Sequence, residues 1–88
     1  MKVENLTSSN GNKIANQFRI EYRREIFFQS YESIIVKIDK KGRVFLDKVY
    51  WDFSNTTRKY RNIFLRENSS EIKEKIKSGI YKLTNLNK

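Results

Sequence analysis

The spacing of apolar residues changes in the middle of this chain, and that change limits the folds open to it. From Asn16 apolar residues recur largely at every second position; past Phe53 they recur at three- and four-residue intervals as far as Gly79. Gln17-Phe18-Arg19-Ile20-Glu21-Tyr22-Arg23 alternates strictly, so a strand here carries its apolar residues on one side and its charged residues on the other. Arg24-Glu25 supplies a turn, and Ile26-Phe27-Phe28-Gln29 begins a second strand. Ser33-Ile34-Ile35-Val36-Lys37-Ile38 then meets Arg43-Val44-Phe45-Leu46 across Asp39-Lys40-Lys41-Gly42. Asp39 opens that turn and Gly42 provides the positive φ that closes it. Tyr31-Glu32 reads either as a bend or bulge between the second and third runs or as part of one long strand.

Past Phe53 the pattern is helical. Ser54 or Thr56 caps a first helix on which Tyr60, Ile63 and Phe64 form an apolar stripe. Arg58, Lys59, Arg61, Asn62 and Arg66 fall on the other side at 100° per residue, and Leu65 lies among them. Asn68 and Glu71 have the spacing of a capping box at the start of a second helix. Ile72 and Ile76 are its apolar contacts and Gly79 ends it. Ile80-Tyr81-Lys82-Leu83-Thr84 reads as a short last strand. The expectation is an α+β fold in the order β-β-β-β-α-α-β, with an antiparallel sheet of three to five strands packed against two C-terminal helices. The positions expected to be buried are Phe18, Ile20, Tyr22, Ile26, Phe28, Ile34, Val36, Ile38, Val44, Leu46, Tyr60, Ile63 and Phe64. Residues 1–13, polar and turn-rich, are expected to form a flexible tail, leaving 14–88 as a single domain.

Composition excludes several kinds of chemistry. The 88 residues include no cysteine and no histidine, which removes thiolate nucleophiles, His/Cys zinc sites and every histidine-dependent acid–base mechanism. The three glycines, Gly11, Gly42 and Gly79, form no phosphate-binding loop. Asp39-x-Lys41 matches half of a metal-dependent nuclease signature, with Glu21 or Glu25 as an upstream carboxylate, but Asp39 already has a role in opening the hairpin. The expectation is a non-enzymatic protein with no catalytic residue, metal or cofactor. No stretch has the apolar length of a signal peptide or a membrane span, so a cytoplasmic protein without a membrane partner is expected.

Charge points to a partner. Nineteen Lys and Arg against ten Asp and Glu give a net charge of +9, an excess that attracts polyanions. The densest basic stretch follows an aromatic cluster. Tyr50, Trp51 and Phe53 precede the helix bearing Arg58, Lys59, Arg61, Asn62 and Arg66. Aromatic rings stack on bases and guanidinium groups pair with phosphate, although the favoured reading of these aromatics is core where strand meets helix. A second basic group, Arg19, Arg23, Arg24, Lys37, Lys40, Lys41 and Arg43, is expected on the exposed sheet face and the hairpin tip. These two groups, with Tyr50 and Trp51, are the candidate binding residues for DNA or RNA, or for a host nucleoprotein. So small a core is modest in stability, and a homodimer is one remedy.

Ala15-Asn16-Gln17-Phe18, Phe28-Gln29-Ser30-Tyr31, Tyr50-Trp51-Asp52-Phe53-Ser54, Thr57 with Lys59-Tyr60-Arg61, and the stretch from Gly79 to Asn87 resemble a family of small, uncharacterised proteins encoded by phages and prophages. The resemblance implies a setting, the cytosol of a host cell, and assigns no chemistry to any residue. Small phage accessory proteins often bind nucleic acid or block host defence complexes such as CRISPR nucleases and restriction enzymes. The resemblance therefore implies, beside a nucleic-acid-binding accessory protein, an inhibitor of the anti-CRISPR or anti-restriction type acting by steric block.

Overall fold

A computed structural model describes residues 1–87 of the chain. The described residues form β1 (Lys2–Thr7), β2 (Lys13–Tyr22), β3 (Glu25–Ser30), β4 (Ser33–Ile38), β5 (Val44–Asp47), α1 (Asn55–Leu65), α2 (Ser69–Lys77) and β6 (Tyr81–Thr84). All six strands join one sheet in sequence order. Neighbours are antiparallel except β5 and β6, which run parallel. The parallel step follows from the connection: two helices intervene between β5 and β6, long enough for a crossover that a tight turn could not make. The sheet is thus mixed and six-stranded, larger than the antiparallel sheet of three to five strands that periodicity predicts.

The extra strand comes from the segment expected to be a tail. Lys2–Thr7 pairs with β2 from Lys2 opposite Glu21 to Thr7 opposite Lys13. A turn held by Ser8 N–H to Asn12 C=O (2.8 Å) and Gly11 N–H to Ser8 C=O (2.9 Å) connects the two strands. The strand is mostly polar because it lies at the sheet's edge, where a charged sequence also discourages pairing with other chains.

The hairpin turns use local chemistry. Asp39 Oδ1 accepts from the backbone N–H groups of Lys41 (3.0 Å) and Arg43 (2.9 Å), and Gly42 sits at φ 84°. Tyr31-Glu32 is a turn between β3 and β4, with a bulge nearby at Phe28/Gln29. Ser54 caps α1 through Thr57 N–H (3.1 Å), and Asn68 with Glu71 forms the expected capping box on α2.

Both helices cover the same face of the sheet. Residues directly opposite on paired strands share a face, and Phe28, Val36 and Leu46 are such a set. All three are fully buried together with Ile35, Ile72 of α2 and Tyr81 of β6. Phe64 of α1 stacks on Phe28 with ring centroids 5.5 Å apart. Tyr50, Trp51, Tyr60, Leu65 and Ile76 pack round this core.

Among the described residues no helix covers the opposite face. It carries Phe27, Lys37, Phe45 and Lys82, aligned across β3, β4, β5 and β6, and Ile20 extends the row onto β2. Here the structure reverses an expectation. In β2 it is Gln17, Arg19 and Glu21 that share the covered side, through the pairs Gln17–Ser30, Arg19–Phe28 and Glu21–Ile26. Phe18, Ile20 and Tyr22 look out from the bare side, half-exposed or exposed. Alternation divides a strand into two sides but does not say which one the helices take. In β3, apolar on both sides at Ile26-Phe27-Phe28, that choice is made by packing.

Candidate nucleic-acid interface

The structure divides the predicted basic helix face. Arg61 is not on it: its side chain is 0% exposed. One guanidinium nitrogen donates to the Trp51 carbonyl at 2.7 Å and to Asp52 Oδ1 at 3.1 Å. The others reach Asn62 Oδ1 (2.8 and 3.1 Å) and Ser69 Oγ (3.2 Å). The guanidinium carbon lies 5.3 Å from the centre of the Trp51 ring, a cation–π contact. Burial lowers the Arg61 pKa, and the Asp52 carboxylate opposes that shift. Asn62 completes the network by donating to Ser69 Oγ (3.1 Å). Arg61, Asn62 and Trp51 therefore join α1, α2 and the segment before α1.

The reason is a rotation of the helix about its axis relative to the expected one. Thr57 and Arg61, one turn apart, are the buried positions of α1, and Ile63, placed in the apolar stripe, is 49% exposed. A hydrophobicity pattern cannot find an inward position that holds an arginine. Arg58 also has internal partners, Asp52 Oδ1 at 2.8 Å and Asn55 Oδ1 at 2.7 Å. Lys59 and Arg66 remain as exposed cations, with Arg66 in the left-handed conformation that closes the helix, φ 58°. Tyr50 is half-buried, edge-on to Phe53 at 5.2 Å, whereas Phe53 is 67% exposed.

The second basic group fares differently. Arg19 lies on the covered side of β2 and pairs with Glu21. Arg43 pairs with Asp39 at 2.7 Å. Arg23, Arg24, Lys40 and Lys41 are exposed and have no ion-pair partner among the described residues. Register brings these four together. The β2–β3 turn closes at the pair Tyr22–Glu25, and the β4–β5 turn lies just beyond Ile38–Val44. Because Ile26 pairs with Ile38, both turns project from the same end of the sheet, about 10 Å apart at two strand spacings. A shallow depression of about 490 Å³, lined by Lys2, Glu21, Arg23, Arg24 and Glu25 among others, adjoins the β2–β3 turn.

The β2–β3 turn is locally unfavourable for its residues. Arg23 and Arg24 both have positive φ, 53° and 68°, in a two-residue hairpin loop of the type that favours Asn-Gly. Side chains with a Cβ are strained there.

Asp39, half of the nuclease-like pattern, is committed to its turn. Burial raises its pKa, but hydrogen bonds from the Arg43 backbone and side chain and from the Lys41 backbone outweigh that and hold it below the usual carboxylate value. Among the described residues no group of three or more His, Cys, Asp or Glu could hold a metal ion, and no helix is long and apolar enough to cross a membrane.

The model of a family of unknown function, DUF8033, matches residues 1–79. The chain belongs to this family. The DUF8033 match takes in β1, both basic turns and both helices, so the first strand is part of the family's shared segment. No curated protein and no solved structure matches the chain.

Of the aligned row on the bare face the sequence pointed to Lys37 alone, and not to Phe27, Phe45 or Lys82. The members of the row lie in four different strands, and only the pairing register aligns them.

Proposed function

We propose that this DUF8033 protein is a non-enzymatic nucleic-acid-binding accessory protein whose phosphate contacts are Arg23, Arg24, Lys40 and Lys41. One observation carries the reading. Two adjacent turns present four cations without carboxylate partners at one end of the sheet, and one turn holds two arginines in a backbone conformation that suits Asn-Gly better. Folding alone does not favour arginine there, whereas phosphate binding does. The net charge of +9 supplies the long-range attraction. Lys59 and Arg66 on α1 are secondary contacts at most. The resemblance to phage-encoded proteins supports a phage or prophage setting and action in the host cytosol.

The test is fluorescence anisotropy of a labelled oligonucleotide across a salt series. Arg23→Asn with Arg24→Gly removes two charges while improving the turn, and Lys40→Ala with Lys41→Ala removes two more. Binding should weaken, and the slope of log K against log salt should flatten by about three for a single strand when all four are changed. An unchanged slope in a folded quadruple variant contradicts the reading.

A second reading is favoured by the opposite end of the sheet. There Tyr31 (53% exposed) and Phe53 (67% exposed) line a cleft of about 230 Å³ with Tyr50, Ser54 and Thr57. Exposed aromatics are frequent anchors of protein interfaces, which supports a blocker of a host defence complex. That reading predicts a stoichiometric complex lost with Phe53→Ala, and little affinity for bare nucleic acid.

A further inference from the structure

We infer that the bare sheet face is a stacking platform that makes the protein selective for single-stranded nucleic acid. This inference rests on the nucleic-acid reading above and extends it from phosphate to bases.

The face is built against the needs of the core. Along β2 the apolar residues Phe18 and Ile20 lie on the side without helices, while Gln17, Arg19 and Glu21 lie under the helix layer. A strand selected only for burial would be turned the other way. Across the middle of the face Phe27, Lys37, Phe45 and Lys82 alternate ring and ammonium on four successive strands. The rings are therefore two strand spacings apart, about 10 Å, with a cation beside each. Lys37 Nζ lies 5.6 Å from the Phe45 ring centre and 3.7 Å from Glu25. Lys82 has no ion-pair partner among the described residues.

Charge selects the occupant. A second copy packed sheet to sheet would bring Lys37 and Lys82 of both copies into one interface, between two chains of net charge +9, at a high desolvation cost. A single strand suits the same surface: unpaired bases offer faces to the rings, and its phosphates offer anions to the lysines. The face ends at the turns carrying Arg23, Arg24, Lys40 and Lys41, so one strand lying on it can reach those cations. A duplex hides its base faces and can use only the basic end.

The measurement is anisotropy of a labelled single strand, and of the duplex of the same sequence, with wild type and with Phe27→Leu/Phe45→Leu. Leucine keeps the face apolar, and Trp51, packed on Arg61 on the covered side, reports by its emission that the fold is intact. The single strand should bind at least tenfold more tightly than the duplex. The double variant should lose roughly tenfold or more for the single strand and little for the duplex. Equal affinity for both forms, or an unchanged single-strand affinity in the variant, overturns the platform, and if the four turn cations still matter the phosphate reading stands. No binding of any nucleic acid overturns both. Sedimentation showing a dimer that Phe27→Leu/Phe45→Leu dissociates would assign the face to a second copy and overturn the platform.

Discussion

Phe27 and Phe28 are neighbours in β3 and chemically identical, yet they belong to different halves of the molecule. Phe28 is fully buried against Val36, Leu46 and the stacked ring of Phe64. Phe27 is only partly buried, in line with Lys37 and Phe45 on the face without helices. The difference shows that an apolar residue in a strand is not by itself a core residue. The covered face tolerates polar groups where a network satisfies them, as at Arg61. The bare face retains aromatic rings although no described element packs over them.

Substituting the two rings should have unequal effects on stability. Phe28→Ala should cost about 3–5 kcal/mol in urea unfolding, as core aromatics do. Phe27→Ala should cost less, about 1–2 kcal/mol, because its ring is only partly buried. Equal costs would mean that the bare face is covered in solution.

Arg61 and Arg58 extend the same contrast to α1. Arg61→Ala leaves the Trp51 carbonyl and Asn62 without their donors and should destabilise by about 3–5 kcal/mol. Arg58→Ala, at a half-exposed pair with Asp52, should cost under about 1 kcal/mol. A stable, folded Arg61→Ala variant with weakened oligonucleotide binding would return Arg61 to the interface.

Three aspartates make the fold acid-sensitive. For Asp47, burial raises the pKa, but hydrogen bonds from the Leu86, Tyr50 and Val49 backbone N–H groups outweigh it and leave the value lowered. Asp39 and Asp52 are lowered likewise, Asp52 against the same burial by Arg58 and Arg61. A folded-state pKa below the unfolded one contributes stability that is complete above about pH 4 and lost as pH falls through the folded value. Thermal midpoints should therefore drop steadily below pH 4. Asp47→Asn should lower the midpoint at pH 7 and reduce that drop; an unaltered acid profile would contradict the assignment.

An effect of opposite sign is expected at Gln17, which is fully buried on the covered face with neither amide atom hydrogen-bonded among the described residues. Gln17→Met keeps the shape and removes the unsatisfied amide, so it should stabilise by about 1–2 kcal/mol. A loss of stability would show that the amide has a partner in solution.

Much of the fold was legible because it is specified locally. The Asp39–Gly42 turn, the Asn68–Glu71 capping box and the change from strand to helix after Phe53 each rest on a few adjacent residues. What was not legible depends on partners distant in sequence. Lys2–Thr7 reads as a tail until β2 pairs with it. Phe18, Ile20 and Tyr22 read as core until register assigns β2's charged side to the helices. Arg61 reads as a surface cation because its acceptors, Trp51, Asp52 and Ser69, lie up to ten residues away. Of the proposed site, charge singled out the turn residues Arg23, Arg24, Lys40 and Lys41, but their juxtaposition depends on the pairing of β3 with β4.

The most direct test of the interface is a titration of the isotopically labelled protein with a short single-stranded oligonucleotide, followed by backbone amide chemical shifts. The largest changes should fall at Tyr22–Glu25 and Asp39–Arg43 and continue into Phe27, Lys37 and Phe45, with α1 little affected. Changes concentrated between Arg58 and Arg66, or around Tyr31 and Phe53, would contradict it and move the binding surface to the helix or to the opposite end of the sheet.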